Sequence, residues 1–323
     1  MAPPRSFEDD ADEEAVFQFH MTRGGVRGLV ESGVAFVPPQ FVAPVPPVTS
    51  AAGAFAAPSV DLSLPRAQAV ALVGAAARSF GIFEVTNHGV PAGVIDAALA
   101  AFNEQPFAAR SPHYSPAPIG ATTYATVPIP RPRGVTPATT PLLCWRDSLI
   151  VRFDCSRDPE LRSIPAPCRE ALLEYQRSMA RLGRELTGLL LEGLGVEAGR
   201  LGKTQGCLMQ CHYHPPCPEP ERVLGSLAAS TPTQICSRCS RRTGSAGCRV
   251  VIKSAKEPRV SIALFFDPIE HGESDFFSPF PELVTAEKPA QYRTLTWLEM
   301  LANRVELGHA KPSSLAEFRV TSN

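Results

Sequence analysis

Three cysteines in one short segment, residues 230–248, are the residues whose types and spacing most directly suggest chemistry. The segment, called the insert below, reads STPTQICSRCSRRTGSAGC and contains Cys236, Cys239 and Cys248. A Cys-x-x-Cys pair with a third thiolate could supply most of the ligands of a tetrahedral zinc site. Candidates for the fourth ligand stand just upstream: His212, His214 and Cys217. A small zinc-binding module is therefore one hypothesis for this chain.

The overall composition argues against several classes of protein. The 323 residues include 31 basic and 32 acidic side chains, a net charge of -1. Because phosphate binding normally leaves a basic excess, we expect no nucleic-acid partner. The acidic start and the absence of a membrane-length apolar run predict no membrane partner. Nine cysteines in a long chain are typical of reduced cytosolic thiols. We expect a cytoplasmic monomer that acts on a small molecule.

Hydrophobic periodicity predicts the elements that must position any site. Helices are expected over residues 26–34, 169–194 and 296–305, and Gly195 should end the longest of them. A further helix is expected to begin after an N-cap at Ser63. GIFEV and CWRDSLIVRF are expected strands, and the Pro- and Thr-rich residues 111–140 a long loop. Two interpretations are open for Trp145, Arg146 and Asp147. They line a substrate pocket, or they belong to an inner strand with a flanking ion pair.

Three stretches resemble the plant 2-oxoglutarate- and Fe(II)-dependent dioxygenases, in particular the branch of 1-aminocyclopropane-1-carboxylate oxidase homologues and benzoxazinone-pathway dioxygenases. GGVRGLVESGVAFVPPQFV resembles that branch's N-terminal signature, and ARSFGIFEVTNHGVP the non-haem dioxygenase N-terminal block. HYHPPCPEPERVLG together with PRVSIALFF is similar to the catalytic domain. In this resemblance His88 of NHGVP is a structural turn residue and not a metal ligand.

The resemblance implies the fold and its divisions. It implies an α/β protein with a double-stranded β-helix, a jelly roll like that of isopenicillin N synthase, behind a helical and mixed N-terminal region. We expect an acidic disordered tail over residues 1–16 and a non-haem dioxygenase N-terminal domain over 17–160. The jelly-roll domain should cover 161–323, interrupted at 227–248 and therefore incomplete.

The resemblance also implies Fe(II) and 2-oxoglutarate as cofactors. The family holds the far carboxylate of the keto acid with Arg-x-Ser, which is present here as Arg259 and Ser261. A guanidinium fork and a hydroxyl suit a carboxylate on physical grounds as well. The tyrosine that assists them in the family is replaced by His214. Arg259, Ser261 and His214 are thus the predicted residual keto-acid site.

The family's iron ligands are missing from this sequence. Such enzymes hold Fe(II) with two histidines and one carboxylate, the first two ligands as His-x-Asp. None of the histidines here is followed by x-Asp, and Cys248 stands before RVV, where the resemblance places the second His. We therefore predict no catalytic residues, no metal ligands and an inactive chain.

The genetic code offers an explanation for the insert. If its codons are read one base out of phase, the segment can encode HTDPDLLTVLPQDGIGGL. The first base of each shifted codon is not fixed by the amino-acid sequence, and it is chosen here to give that peptide. This shifted reading restores His-x-Asp in front of an apolar strand. The sequence thus indicates a metal-binding strand translated in the wrong frame, with a following segment lost. Two hypotheses stay open, a non-catalytic relative of the dioxygenases and the product of an incorrectly assembled gene sequence.

Overall fold

A computed structural model describes the chain in ten stretches. They cover residues 7–42, 57–116, 122–128, 143–153, 164–197, 206–223, 236–239, 256–267, 276–307 and 315–320. None of the helices within these stretches combines the length and apolar character needed to cross a membrane.

A five-stranded antiparallel sheet is the centre of the fold. Its strands are β3 (Thr122–Pro128), β4 (Leu143–Phe153), β5 (Gly206–His214), β6 (Cys236–Cys239) and β7 (Arg259–Asp267). They are arranged in the order β3-β4-β5-β7-β6. Two smaller sheets join β1 (Ser59–Asp61) to β2 (Glu84–Thr86) in parallel, and β8 (Phe276–Phe277) to β9 (Leu295–Thr296) in antiparallel fashion.

One face of the five-stranded sheet packs against the helices. The long helix α6 (Ala166–Leu194) places its apolar stripe on Ile262 and Leu264 of β7 and on the buried residues of β5. Helices α3 (Arg66–Phe80) and α4 (Ala92–Asn103) pack against α6, and α4 also contacts β7. Because each fully buried leucine contributes about 1.5–3 kcal/mol, this layer stabilises most of the fold. Because this apolar core uses only one face of the sheet, the opposite face can hold polar groups.

A second, smaller core anchors the N-terminal segment. Helices α1 (Phe7–Met21) and α2 (Gly25–Glu31) and the 3-10 turn Pro39–Phe41 pack onto Trp145 of β4. Phe19, Phe41 and Trp145 meet edge to face. The remaining helices are the one-turn α5 (Phe107–Arg110) and α7 (Trp297–Leu307).

Several expectations need correction. Residues 7–16 belong to α1, so the acidic stretch expected to be disordered is helical there. The expected loop 111–140 contains strand β3. Pro65, not Ser63, precedes the first residue of α3, and no side chain caps that helix. The insert contains one strand, β6, and its other residues lie outside the described stretches.

Candidate functional site

The three predicted keto-acid residues lie on neighbouring strands of the sheet. Arg259 and Ser261 are two residues apart on β7 and therefore share a face. His214 of β5 is the direct antiparallel partner of Arg259. Paired residues point to the same side of an antiparallel sheet, with Cβ atoms about 4.5–5.5 Å apart. The fold thus brings together the guanidinium, the hydroxyl and the imidazole that the sequence predicted.

This group of side chains lies on the face opposite α6. The residues of β7 that contact α6 are the even-numbered ones, Val260, Ile262 and Leu264. Ser261 is completely buried and His214 is 2% exposed. The Ser261 Oγ has no hydrogen-bond partner among the described residues. A buried hydroxyl without a partner costs about 1–3 kcal/mol, which a bound carboxylate oxygen would offset. The residues present therefore fit the carboxylate end of a keto acid.

Two further polar residues of this face, Ser148 and His212, are not among the residues that the resemblance places in the keto-acid site. His212 pairs with Ser261 on one side and with Ser148 of β4 on the other. The Ser148 hydroxyl and the His212 Nδ1 are 2.9 Å apart, and both residues are buried. The alternation of polar residues in CHYH and RDS was the available signal, because period-2 polarity marks one face of a strand.

The described residues do not fit iron. They contain no group of three or more His, Cys, Asp or Glu side chains that could hold a metal ion. The full sequence also contains no His-x-Asp. We therefore derive no chemical step through a metal.

The zinc hypothesis gains no support from the described part of the chain. Cys236 and Cys239 are the first and last residues of β6, paired with Phe265 and Ile262. An extended strand rises about 3.3 Å per residue, which separates the two Cα atoms by about 10 Å. Cys217 is buried in the N-terminal core, and Cys248 lies outside the described residues. A shared zinc ion would require the backbone to turn where it runs straight.

The stretch containing Trp145, Arg146 and Asp147 is part of the scaffold. Asp147 is fully buried and its carboxylate accepts hydrogen bonds from the backbone N–H groups of Val26 and Arg27, at 2.9 and 2.8 Å. Tyr124 and Thr126 donate to it from β3. Burial raises the pKa of Asp147, although these donors oppose the shift. Of the two readings, the inner strand is the one observed, with hydrogen bonds in place of an ion pair.

His88 and two buried cysteines, Cys168 and Cys211, have structural roles. His88 accepts a hydrogen bond from the Val90 N–H at 3.1 Å through its Nδ1, so it closes the NHGV turn as predicted. Burial raises the pKa of the Cys168 thiol to about 12, and that of Cys211 well above the ordinary value. Thiols held protonated in this way are poor nucleophiles.

Comparisons with known proteins agree with this geometry. No protein-family profile matches the chain. The 1-aminocyclopropane-1-carboxylate oxidase homolog 1 of Arabidopsis thaliana is 27% identical, over 87% of this chain and 89% of the relative. The tomato (Solanum lycopersicum) 1-aminocyclopropane-1-carboxylate oxidase homolog is 25% identical, over 99% of this chain and all of the relative.

A solved structure shows the same fold. The crystal structure of JOX2 in complex with 2OG, Fe and JA superposes with a TM-score of 0.69 at 20% identity, covering 92% of this chain and 98% of that one. The fold is therefore that of the double-stranded β-helix oxygenases. Over nearly its whole length the chain is similar in sequence to plant 1-aminocyclopropane-1-carboxylate oxidase homologues. The JOX2 structure contains Fe and 2OG.

Proposed function

We propose that this chain is a non-catalytic relative of the 2-oxoglutarate- and Fe(II)-dependent dioxygenases, a pseudoenzyme that keeps the scaffold and the carboxylate-binding part of the cofactor site. The observation that carries this proposal is a contrast within the cofactor site: the residues for the carboxylate are present, whereas the ligands for iron are missing. Arg259, Ser261 and His214 lie on one face of the sheet, and Ser261 and His214 are buried there. The chain has no His-x-Asp, and its described residues offer no metal-binding group.

In this proposal the side chains bind but do not react. The Arg259 guanidinium supplies parallel N–H donors and a full positive charge to a carboxylate. Ser261 donates its hydroxyl proton to the same group. Without Fe(II) no oxidant forms from dioxygen, and a bound keto acid keeps its carboxyl group.

The test is a measurement of metal content and turnover. The purified chain is incubated anaerobically with Fe(II) and 2-oxoglutarate, desalted, and assayed for bound iron and zinc; succinate is then measured after dioxygen is admitted. JOX2, which was crystallised with Fe and 2OG, is the loading control. We expect neither stoichiometric iron nor succinate from this chain. Iron uptake with succinate formation would refute the proposal, and stoichiometric zinc would favour the zinc-binding alternative.

The second candidate is an active dioxygenase whose gene sequence has been assembled incorrectly. The shifted reading of residues 230–248 favours it, because that reading restores His-x-Asp. The substrate would then be a small organic molecule of plant specialised metabolism, oxidised in the cytoplasm by a monomer. Sequencing the expressed transcript across codons 224–252 decides between the two. A transcript that encodes His-x-Asp and a later His before RVV supports the active enzyme.

A further inference from the structure

The N-terminal helix α1 is joined to the rest of the chain by a histidine as well as by apolar contacts. Val16 and Phe19 of α1 lie in the N-terminal core. One residue further on, the His20 Nδ1 lies 2.8 Å from the Tyr114 hydroxyl, a contact between residues 94 positions apart in the sequence. Tyr114 is buried and forms a bridge to Tyr124 of β3. This contact therefore connects α1 to the edge of the main sheet.

We assign the Tyr114 hydroxyl as the donor of this hydrogen bond. Burial raises the pKa of Tyr114 well above its ordinary value, so the hydroxyl keeps its proton. A buried O–H group requires an acceptor, and the unprotonated Nδ1 of a neutral His20 supplies one. An imidazolium carries hydrogen on both ring nitrogens, so protonation of His20 removes that acceptor.

We propose that His20 and Tyr114 form a pH-sensitive latch, which holds α1 in place while His20 is neutral and releases it when His20 is protonated. The latch acts on the N-terminal segment and not on the cofactor site, so it goes beyond the proposed function. Phe19 packs edge to face on Phe41, and Phe41 packs in the same way on Trp145. Release of α1 therefore opens the smaller core from its N-terminal side.

The charges near the latch disfavour an imidazolium. The Arg23 Nη2 donates to the carbonyl oxygens of Pro112 and Tyr114, at 3.1 and 3.4 Å, which places a cation against the same segment that His20 contacts. Asp147 influences the Tyr114 hydroxyl, but its carboxylate already accepts hydrogen bonds from α2 and β3. Within the described stretches, His20 forms no ion pair with a carboxylate. A half-buried cation without such a partner is costly.

Two features of α1 itself oppose this effect, and burial outweighs them. Glu13 lies on the same face of the helix as His20, but seven residues earlier, which is about 10 Å along the axis. His20 is in the last turn of α1, where the helix dipole favours a cation. Burial nevertheless lowers the pKa of His20. The 3-10 turn Pro39–Phe41, which packs against α1, has no titratable side chain.

The charged groups of the segment that precedes the tyrosine are engaged elsewhere. Arg110 forms an ion pair with Glu31 of α2. Partial burial lowers the pKa of His113, and the nearby Arg169 of α6 lowers it further. Neither group supplies an anion to the latch.

Docking of α1 should weaken as the pH falls below about 6.5, the pKa of an unperturbed histidine. The released helix binds the proton more readily than the docked helix, whose histidine has a lowered pKa. Each pH unit below about 6.5 therefore weakens docking by up to about tenfold, until the pKa of the docked histidine is reached. At higher pH the histidine is neutral in both states, and docking does not change.

Hydrogen exchange of the full chain, followed by mass spectrometry, tests the latch. Protection factors of peptides from α1 and α6 are compared at about pH 7.5 and about pH 5.5, after correction for the intrinsic exchange rate. We expect the protection of α1 to fall by about five- to tenfold, while that of α6 stays nearly unchanged. His20→Gln keeps an acceptor for the Tyr114 hydroxyl but cannot gain a charge, so its α1 should show no such fall.

His113→Gln is the matched control, because this histidine adjoins the tyrosine but interacts with Arg169 of α6. It should keep the pH dependence of the wild type. An NMR titration of the wild-type chain gives a second measurement, which holds even if His20→Gln leaves α1 undocked; the His20 signal is the one missing from that variant. A His20 pKa at or above about 6.5 overturns the inference. So does an α1 protection that is independent of pH, or equally dependent on pH in His20→Gln.

Discussion

At the scale of single residues, Asp147 should give the stability of the chain an unusual dependence on pH. Burial raises its pKa in the folded state, whereas an unfolded carboxyl titrates near about 3.9. Between these two values the folded state binds more protons than the unfolded state. The contribution of Asp147 to the free energy of unfolding therefore increases as the pH falls from neutral through the folded pKa. It decreases again as the pH rises.

The measurement compares wild type and Asp147→Asn by urea unfolding at several pH values. We expect the variant to be less stable by about 2–4 kcal/mol, since its amide N–H₂ would face the backbone donors of Val26 or Arg27. This deficit should widen as the pH is lowered. Glu185→Gln, at an exposed position of α6, is the control for the loss of a carboxyl group at the surface. A deficit for Asp147→Asn that narrows in acid would contradict the expected sign.

The family resemblance predicted three residues of the candidate site. Arg259, Ser261 and His214 were found because the flanking sequence resembles a known pattern, and the strands do bring them together. Polar alternation marks Ser148 and His212 as residues of one strand face each, but their proximity could not be predicted, since it depends on the pairing of β4 with β5, more than fifty residues further along the chain. The role of Asp147 likewise depends on the docking of α2 from the far N-terminus.

At the scale of elements, the docking of α2 depends on the absence of a side chain at Gly25. Gly25 has a φ of +64°, and a Cβ there would lie 2.5 Å from the Asp147 Oδ1. Gly25→Ala combines the left-handed strain of about 1–2 kcal/mol with this clash, so we expect it to lose about 3 kcal/mol of stability in urea. Gly28→Ala is the matched control, because a Cβ there meets no atom within 4 Å. It should be neutral or stabilising by up to about 1 kcal/mol. Equal effects of the two substitutions would refute this account of α2 docking.

The contact between α6 and β7 depends on Gly183 in a similar way. A Cβ at Gly183 would overlap the Phe266 ring, whereas a Cβ at Gly188 would lie 3.8 Å from the Arg66 Nη2. Gly183→Ala should therefore cost about 1–3 kcal/mol in a thermal or urea melt, as overpacked cores do. Gly188→Ala on the same helix should be neutral or stabilising, because alanine has the higher helix propensity. A neutral Gly183→Ala would show that α6 is packed more loosely than described.

Strong periodicity made some elements predictable and its absence hid others. The stripe of leucines predicted α6 almost to its ends, and Gly195 at φ +74° ends it. Strand β3 was not predicted because Thr, Tyr and Pro in TTYATVP also suit a loop. Only the pairing with β4 makes this segment a strand. Helix α1 escapes prediction because an acidic composition also suits a disordered tail, whereas the helix is anchored by its buried Val16 and Phe19 in the N-terminal core.

At the scale of the whole molecule, the insert should limit stability. Strand β6 is short and stands at the edge of the main sheet beside β7. The shifted reading would place LLTVL at this position, and such a β-branched and leucine-rich segment suits a strand better than the present sequence. We expect the chain to melt with a broad, low transition and to bind the dye ANS, since an incompletely covered sheet exposes apolar surface.

Replacing residues 230–248 with HTDPDLLTVLPQDGIGGL tests whether the insert is the cause. The replacement should sharpen the thermal transition, raise its midpoint by several degrees and reduce ANS fluorescence, because a longer apolar strand would pair along β7. A scrambled version of the same replacement is the control and should do neither. Catalysis should not return in either chain, since only two of the three iron ligands are restored and the segment with the second histidine is still missing. A sharp, high transition in the unaltered chain would instead mean that the present insert completes the fold in its own way.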